Sequence, residues 1–186
     1  GILMGCLSSY NDYMKYYKKV LKNGLTIIEV PSNDAESVVV DFFVKTGSRS
    51  ETAKENGISH FLEHFLFKGT EKYPTSMAIT ELIDGIGGEM NANTGKEHTQ
   101  FYIKSRHTHL PLIFEVLTDM LLHPILNKEE LEREKGVIVE EINMYRDNPR
   151  INVGTVLEQT MWQGDPLGRD IAGTPEVVNK FTQKMF

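Results

Sequence analysis

Strand-type patterns come first in this chain and helical ones dominate after residue 106, and that order limits its fold more tightly than anything else in it. Asn23-Gly24 lies between two apolar runs, Val20-Leu21 and Leu25-Thr26-Ile27-Ile28, which makes 17–30 a hairpin. Residues 37–46 are β-branched and aromatic and read as a mostly buried strand ending at Gly47. Segments 89–94 and 99–106 alternate and form two more strands joined near Gly95, with Phe101 and Ile103 on one face and Tyr102 and Lys104 on the other. Two helices interrupt the series, one from about Ile58 to Phe67 and one capped by Thr75 or Ser76 and broken at Gly87-Gly88. After residue 106 apolar residues at helical spacing run from Leu110 to Leu122, Asn127 caps a long helix to about Arg146, and Asn148-Pro149 stops it. A further helix spans about Ile151 to Trp162, and Thr174-Pro175-Glu176 opens a last one that runs to Phe186 without a stop signal. This order predicts an α+β fold: a two-layer sandwich whose mixed or antiparallel sheet is covered on one face by helices.

Composition narrows the function. With 40% hydrophobic residues in 186, the chain has enough apolar surface for one domain core and too much for a disordered segment. A net charge of −6 argues against a nucleic-acid partner, and no apolar run is long enough to span a membrane. A single cysteine, Cys6, excludes an intramolecular disulfide and a cysteine-rich zinc site, but not zinc on histidine and carboxylate. Residues 1–13 read as a non-native or leader tail, with Met14 a plausible start. Leu3-Met-Gly-Cys6 faintly resembles the end of a lipoprotein signal but lacks the charged and apolar stretches that precede one. The expected location is cytoplasmic; export or a lipid anchor is the alternative if Cys6 belongs to a trimmed signal. Residues 14–186 read as the N-terminal part of something longer, incomplete at its C-terminus.

The chemistry concentrates in His60-Phe61-Leu62-Glu63-His64. On a helix, positions i, i+3 and i+4 share a face, so two imidazoles and a carboxylate converge within one turn. Two neutral imidazoles bind zinc, and an adjacent carboxylate holds and deprotonates its water. This reverses the commoner His-Glu-x-x-His order and is the inverzincin signature. A catalytic zinc wants a third protein ligand, and the candidates are His98, His107, His109, His123, Glu134, Glu140 and Glu141. The histidines sit near strand or helix ends, where solvated or capping roles are the default. On the 128–146 helix, Leu131, Ile138 and Ile142 define a buried stripe. Glu134, Glu141 and Tyr145 lie on one flank of it, and Glu140 points to the opposite side.

His60-x-x-Glu63-His64 followed after 76 residues by Glu141 resembles the pitrilysin-like (M16-type) zinc metallopeptidases. So do Gly47-Ser-Arg-Ser-Glu51, Phe67-Lys-Gly-Thr70, Asn91-Ala-Asn-Thr94 and Glu134-Lys-Gly-Val-Ile-Val-Glu-Glu-Ile142. Met144-Tyr-Arg-Asp-Asn-Pro149 and Gly173-Thr-Pro-Glu176 look most like the small bacterial processing proteases. The resemblance covers nearly all of 17–182. It implies Zn²⁺ held by His60, His64 and Glu141, Glu63 as general base, and Glu134 as the acid that orients a ligand histidine. The seven-residue offset from Glu134 selects Glu141 over Glu140, as the helical face does. Phe67, Asn91 and Ala92 match positions lining the substrate cleft, where a peptide is expected to add as a strand near Asn91–Thr94. Asn93 stands where the family often has an aromatic, which puts a strongly apolar pocket there in doubt.

Members of this family close two related halves around a chamber, and this chain carries the first half only. The expected partners are therefore a peptide substrate and a second half or homologous subunit. Self-association through uncovered edges is expected too. The reading that follows is a zinc endopeptidase acting on peptides or presequences. A non-catalytic peptide-binding or structural subunit of the same fold is the alternative; such subunits typically lack part of the ligand set that is complete here. A purely structural zinc site leaves Glu63 without a purpose.

Overall fold

The structure, a computed structural model, describes residues 15–186, so the expectations for residues 1–13 and Cys6 lie outside the described residues. The chain divides into two compact units, the first ending at Glu36. In the first, β1 (Tyr17–Val20) and β2 (Thr26–Glu29) pair antiparallel from Tyr17↔Glu29 to Val20↔Thr26. Gly24 takes φ 91°, and Asn23 Oδ1 accepts the Leu25 amide at 3.1 Å, which closes the turn predicted from Asn-Gly.

In the second unit, β3 (Ser37–Val44), β4 (Glu89–Thr94) and β5 (Thr99–Arg106) form an antiparallel sheet in the order β3-β5-β4. Strand alternation sends Val38, Val40, Phe42, Met90, Ala92, Phe101 and Ile103 to one face. There they meet α1 (Ile58–Leu66), α2 (Ser76–Gly85) and α3 (Leu110–Leu122) through Leu66, Ile79, Ile83, Ile113, Val116, Leu117 and Met120. The α+β two-layer expectation is met, and every strand pair is antiparallel. One expectation fails: the strand at 37–46 is not mostly buried. Only one face of β3 is covered within this unit, while Val39 and Phe43 on the other are 51% and 65% exposed, because α1, α2 and α3 all pack on the first face of the sheet.

A second core lies on the other side of α1. Phe61 and Phe65 pack against Leu131, Ile138 and Ile142 of α4 (Lys128–Asp147), together with Ala172, Val178 and Phe181. Asn127 Oδ1 caps α4 by accepting the Glu129 amide at 2.7 Å. Asn148 closes α4 and caps α5 (Pro149–Met161), which starts two residues earlier than predicted because Pro149 suits the first helical turn. The last helix is also corrected: α6 spans only Pro175–Val178 and does not run on to Phe186. Tight turns end it, from the Lys180 amide to Val177 and from Phe181 to Val178. They let Phe181 and Phe186 both reach the ring of Phe61, at 5.6 and 5.1 Å between centroids, so aromatic burial outweighs helix continuation.

Phe61 is fully buried at the centre of this second core. Phe61→Ala is therefore expected to lower unfolding free energy by about 3–5 kcal/mol in a denaturant titration, the usual range for emptying a buried aromatic site. Val137→Ala, at a half-exposed site on α4, serves as the control and should cost under about 1 kcal/mol.

Candidate metal centre

The helix α1 starts on Gly57, which has no side chain to cap it. Glu51 supplies the cap from outside: one carboxylate oxygen accepts the Gly57 amide at 2.7 Å and the Asn56 side chain at 3.1 Å, and the other accepts the Ser59 amide at 2.8 Å. Sequence reasoning quoted Glu51 but gave it no role. The available signal was a glycine-started helix with an acid six residues upstream.

With α1 so anchored, His60, Glu63 and His64 form the face that belongs to neither core. Opposite them α4 presents Glu134 and Glu141, seven residues apart, while Glu140 is exposed. Glu141 Oε2 lies 3.3 Å from His64 Nε2 and 3.7 Å from His60 Nε2. On the other side of the same ring, Glu134 Oε1 lies 3.0 Å from His64 Nδ1. That contact makes Nδ1 the donor and leaves Nε2 facing Glu141.

The charges explain each other. The hydrogen bond to Glu134, and then the close Glu141 carboxylate, push His64 up to about 9. His64, whose Nε2 lies 3.3 Å away, brings Glu141 down to about 2, against its burial and with help from the nearby His60 and Tyr145. Burial, followed by the neighbouring His64 charge, lowers His60. Burial pushes Glu134 up, but its hydrogen bonds from His64 and Lys68 outweigh that and hold the carboxyl below its ordinary value.

Donor chemistry and spacing fit zinc. One atom each of His60, His64 and Glu141 lies within 4.8 Å of the other two. Glu141 Oε2 and His60 Nδ1 are buried without a hydrogen-bond partner, so the carboxylate oxygen faces both rings with its lone pairs unused. Tetrahedral zinc with bonds of about 2.0–2.2 Å places its ligand atoms roughly 3.3–3.6 Å apart, and the distances from Glu141 to the two rings, 3.3 and 3.7 Å, lie within about 0.1 Å of that range. His98, His107, His109 and His123 take no part in this cluster. His98 lies against Phe43 and His123 against Asp119.

Of the residues expected to line a substrate cleft, Thr94 lies nearest the chemistry: its hydroxyl donates to Glu63 Oε2. Phe67, at the C-terminal end of α1, and Ala92 pack against the sheet-side core. Asn91 and Asn93 project from the open side of β4, where both are exposed. β4 has β5 on one side and no strand on the other among the described residues, so its edge is available for pairing. Beside His60 a shallow cleft of about 200 Å³ is lined by Lys96, Tyr145, Glu158 and Asp170 among others. Lys96 crosses it, donating to the Arg169 carbonyl at 2.5 Å and pairing with Glu158 at 2.9 Å. Sequence reasoning missed Lys96 and Asp170, since nothing local marks residues that only the fold brings to His60.

The sequence profile of the family described as Insulinase (Peptidase family M16) matches residues 26–175. The chain belongs to this family. It is 41% identical over 160 residues to an uncharacterized zinc protease, YmxG, of Bacillus subtilis, covering 86% of this chain and 39% of the relative. To the bovine mitochondrial-processing peptidase subunit beta it is 38% identical, covering 88% of this chain and 33% of that one. The structure of a protease from Helicobacter pylori superposes with a TM-score of 0.87 at 28% identity, over 92% of this chain and 42% of that chain. Pitrilysin itself gives 0.77 at 28% identity, over 91% and 18%. The chain thus spans only about two-fifths or less of the curated relatives it matches.

Zinc needs the neutral imidazole, so metal uptake at this cluster would require His64 to lose a proton. With His64 titrating at about 9, roughly one proton should be released per zinc bound near pH 7.5. Apparent affinity should rise about tenfold per pH unit between pH 7 and 9 and level off above. Calorimetry in two buffers of different ionisation enthalpy measures the proton count, and release of none would contradict the His64 assignment.

Proposed function

We propose that this chain carries the catalytic centre of a zinc endopeptidase that hydrolyses bonds in peptides or presequences. The observation that supports it most is the convergence of His60, His64 and Glu141 on one point, with Glu63 on the same face of α1. In this reading those three hold Zn²⁺, and zinc at such a site polarises a carbonyl and lowers the pKa of its water to about 7. Glu63 takes the proton of the attacking water at Oε1, the oxygen that Thr94 leaves free, and returns it to the leaving amine. Thr94 holds the Glu63 carboxylate through its hydroxyl and fixes which oxygen is free to act. The free edge of β4 receives the substrate backbone as an added strand, which brings the scissile bond in beside Thr94. Glu134 keeps His64 in the tautomer that leaves Nε2 unprotonated for the metal.

The relatives' greater length supports a second half or homologous subunit that completes the substrate chamber. This chain alone should then form the zinc site yet turn over peptides slowly, because positioning supplies much of the rate.

Substitution separates binding from chemistry. His60→Ala and His64→Ala should each abolish stoichiometric zinc, and Glu141→Gln should weaken it at least about tenfold. Glu140→Gln, on the exposed side of α4, should leave affinity unchanged. Zinc lost in Glu140→Gln but kept in Glu141→Gln would reverse the assignment.

In the complete protein Glu63→Gln should retain zinc and lose cleavage by on the order of 10²-fold or more, the scale of general-base catalysis. Undiminished peptide hydrolysis by that variant, free of contaminating proteases, would remove Glu63 from the mechanism. No zinc and no cleavage in the parent would favour the non-catalytic subunit instead.

A further inference from the structure

The side chain of Glu134 is 2% exposed, and both of its oxygens are in use. Oε1 meets His64 Nδ1 at 3.0 Å, and Oε2 meets Lys68 Nζ at 2.6 Å. Lys68 lies four residues after His64, in the turn that ends α1, so one element grips both arms of the carboxylate. We propose that Lys68 is a positioning residue for the metal centre: it locks the Glu134 carboxylate, which in turn fixes the His64 ring. The proposal rests on the zinc reading of His60, His64 and Glu141.

The physical reason lies in the torsion of a carboxylate. That torsion is broad and roughly two-fold, so a single hydrogen bond at one oxygen leaves the group free to swivel. A second, charge-assisted contact at the other oxygen defines its plane, and His64 then has one direction in which to donate. Burial sharpens the effect, since water cannot substitute for a lost partner. Among the described residues, Lys68 and His64 are the cations paired with Glu134. Lys135, adjacent to Glu134 on α4, pairs instead with Glu132 at 2.8 Å. The same ladder joins the C-terminal end of α1 to α4 and holds His64 and Glu141 at one separation.

The test is zinc affinity of the 186-residue chain, measured by competition with a chromophoric chelator, with the visible spectrum of the Co²⁺-loaded form as a report on ligand geometry. Lys68→Met should weaken zinc about tenfold, the lower end of losses seen when an outer partner of a metal ligand is removed. Its cobalt bands should shift. Lys68→Arg, which keeps charge and donor, should bind within about threefold of the parent. Lys68→Gln replaces the Met variant if that one does not fold. In a Glu134→Gln background the Lys68→Met change should cost less than about twofold, because its route to His64 is already cut. The Lys68 role is overturned if Lys68→Met matches the parent in affinity and spectrum. It is equally overturned if the loss is as large without Glu134. A parent chain that binds no zinc at all overturns the underlying metal reading together with it.

Discussion

Everything at the centre depends on the rotation of one nine-residue helix about its own axis. Leu62 and Leu66 of α1 face the sheet-side core, Phe61 and Phe65 face the helical core, and His60, Glu63 and His64 are left facing neither. With about 100° per residue, a slip of one position would carry a phenylalanine to the polar side and an imidazole into hydrocarbon. The two cores therefore fix the direction of the face that carries His60, Glu63 and His64, and burial energy on both flanks opposes any twist. That two-sided constraint gives the face a precision that a site on a loop would lack.

The charges in the cleft are arranged at a cost to the metal-free fold. Two carboxylates and two imidazoles meet in a partly buried space, and Glu141 Oε2 finds ion-pair partners without an aligned hydrogen bond. Such an arrangement gives up hydrogen bonding that a purely structural cluster would satisfy. His64 compensates by holding a proton between Glu134 and Glu141. A divalent cation would replace that proton with a larger charge shared among His60, His64 and Glu141, which is how the arrangement differs from a plain salt bridge.

How much of this was legible follows from how local each contact is. The His-x-x-Glu-His turn was readable because helical spacing alone places its three side chains. Glu141 was separable from Glu140 because Leu131, Ile138 and Ile142 reveal which way α4 faces, and the structure buries all three. The hairpin and the strands at 89–94 and 99–106 came from turn chemistry and alternation, which need no tertiary information. The failures are of the opposite kind. The apolar run in β3 resembles a fully buried strand, but its neighbours cover one face only, and a run of Val and Phe cannot say how many layers surround it. The segment after Pro175 looks helical until Phe181 and Phe186 are seen to compete for Phe61. Glu51, Lys68 and Lys96 are ordinary charges in sequence, and each owes its role to a partner that only the fold supplies.

The distant segment around Ala172 belongs to the site for a backbone reason. Gly57 and Gly173 hold left-handed φ values of 98° and 78°. A Cβ on Gly57 would stand 2.5 Å from the Ala172 carbonyl oxygen, and one on Gly173 would collide with the Asn56 carbonyl. The two strands of chain therefore lie backbone against backbone, closer than any side chain allows. Asn56 donates to the Asp170 carbonyl at 2.9 Å and Arg169 to the Glu51 carbonyl at 2.5 Å, so the same contact reaches the residue that caps α1. His60 lies in the first turn of that helix, with Asp170 and Ala172 on the wall of its cleft. Glycine at 57 and 173, together with Asn56 and Arg169, thus ties the position of a metal-facing imidazole to a loop more than a hundred residues away. Displacing that loop would move the start of α1, and His60 would be the first site residue to feel it.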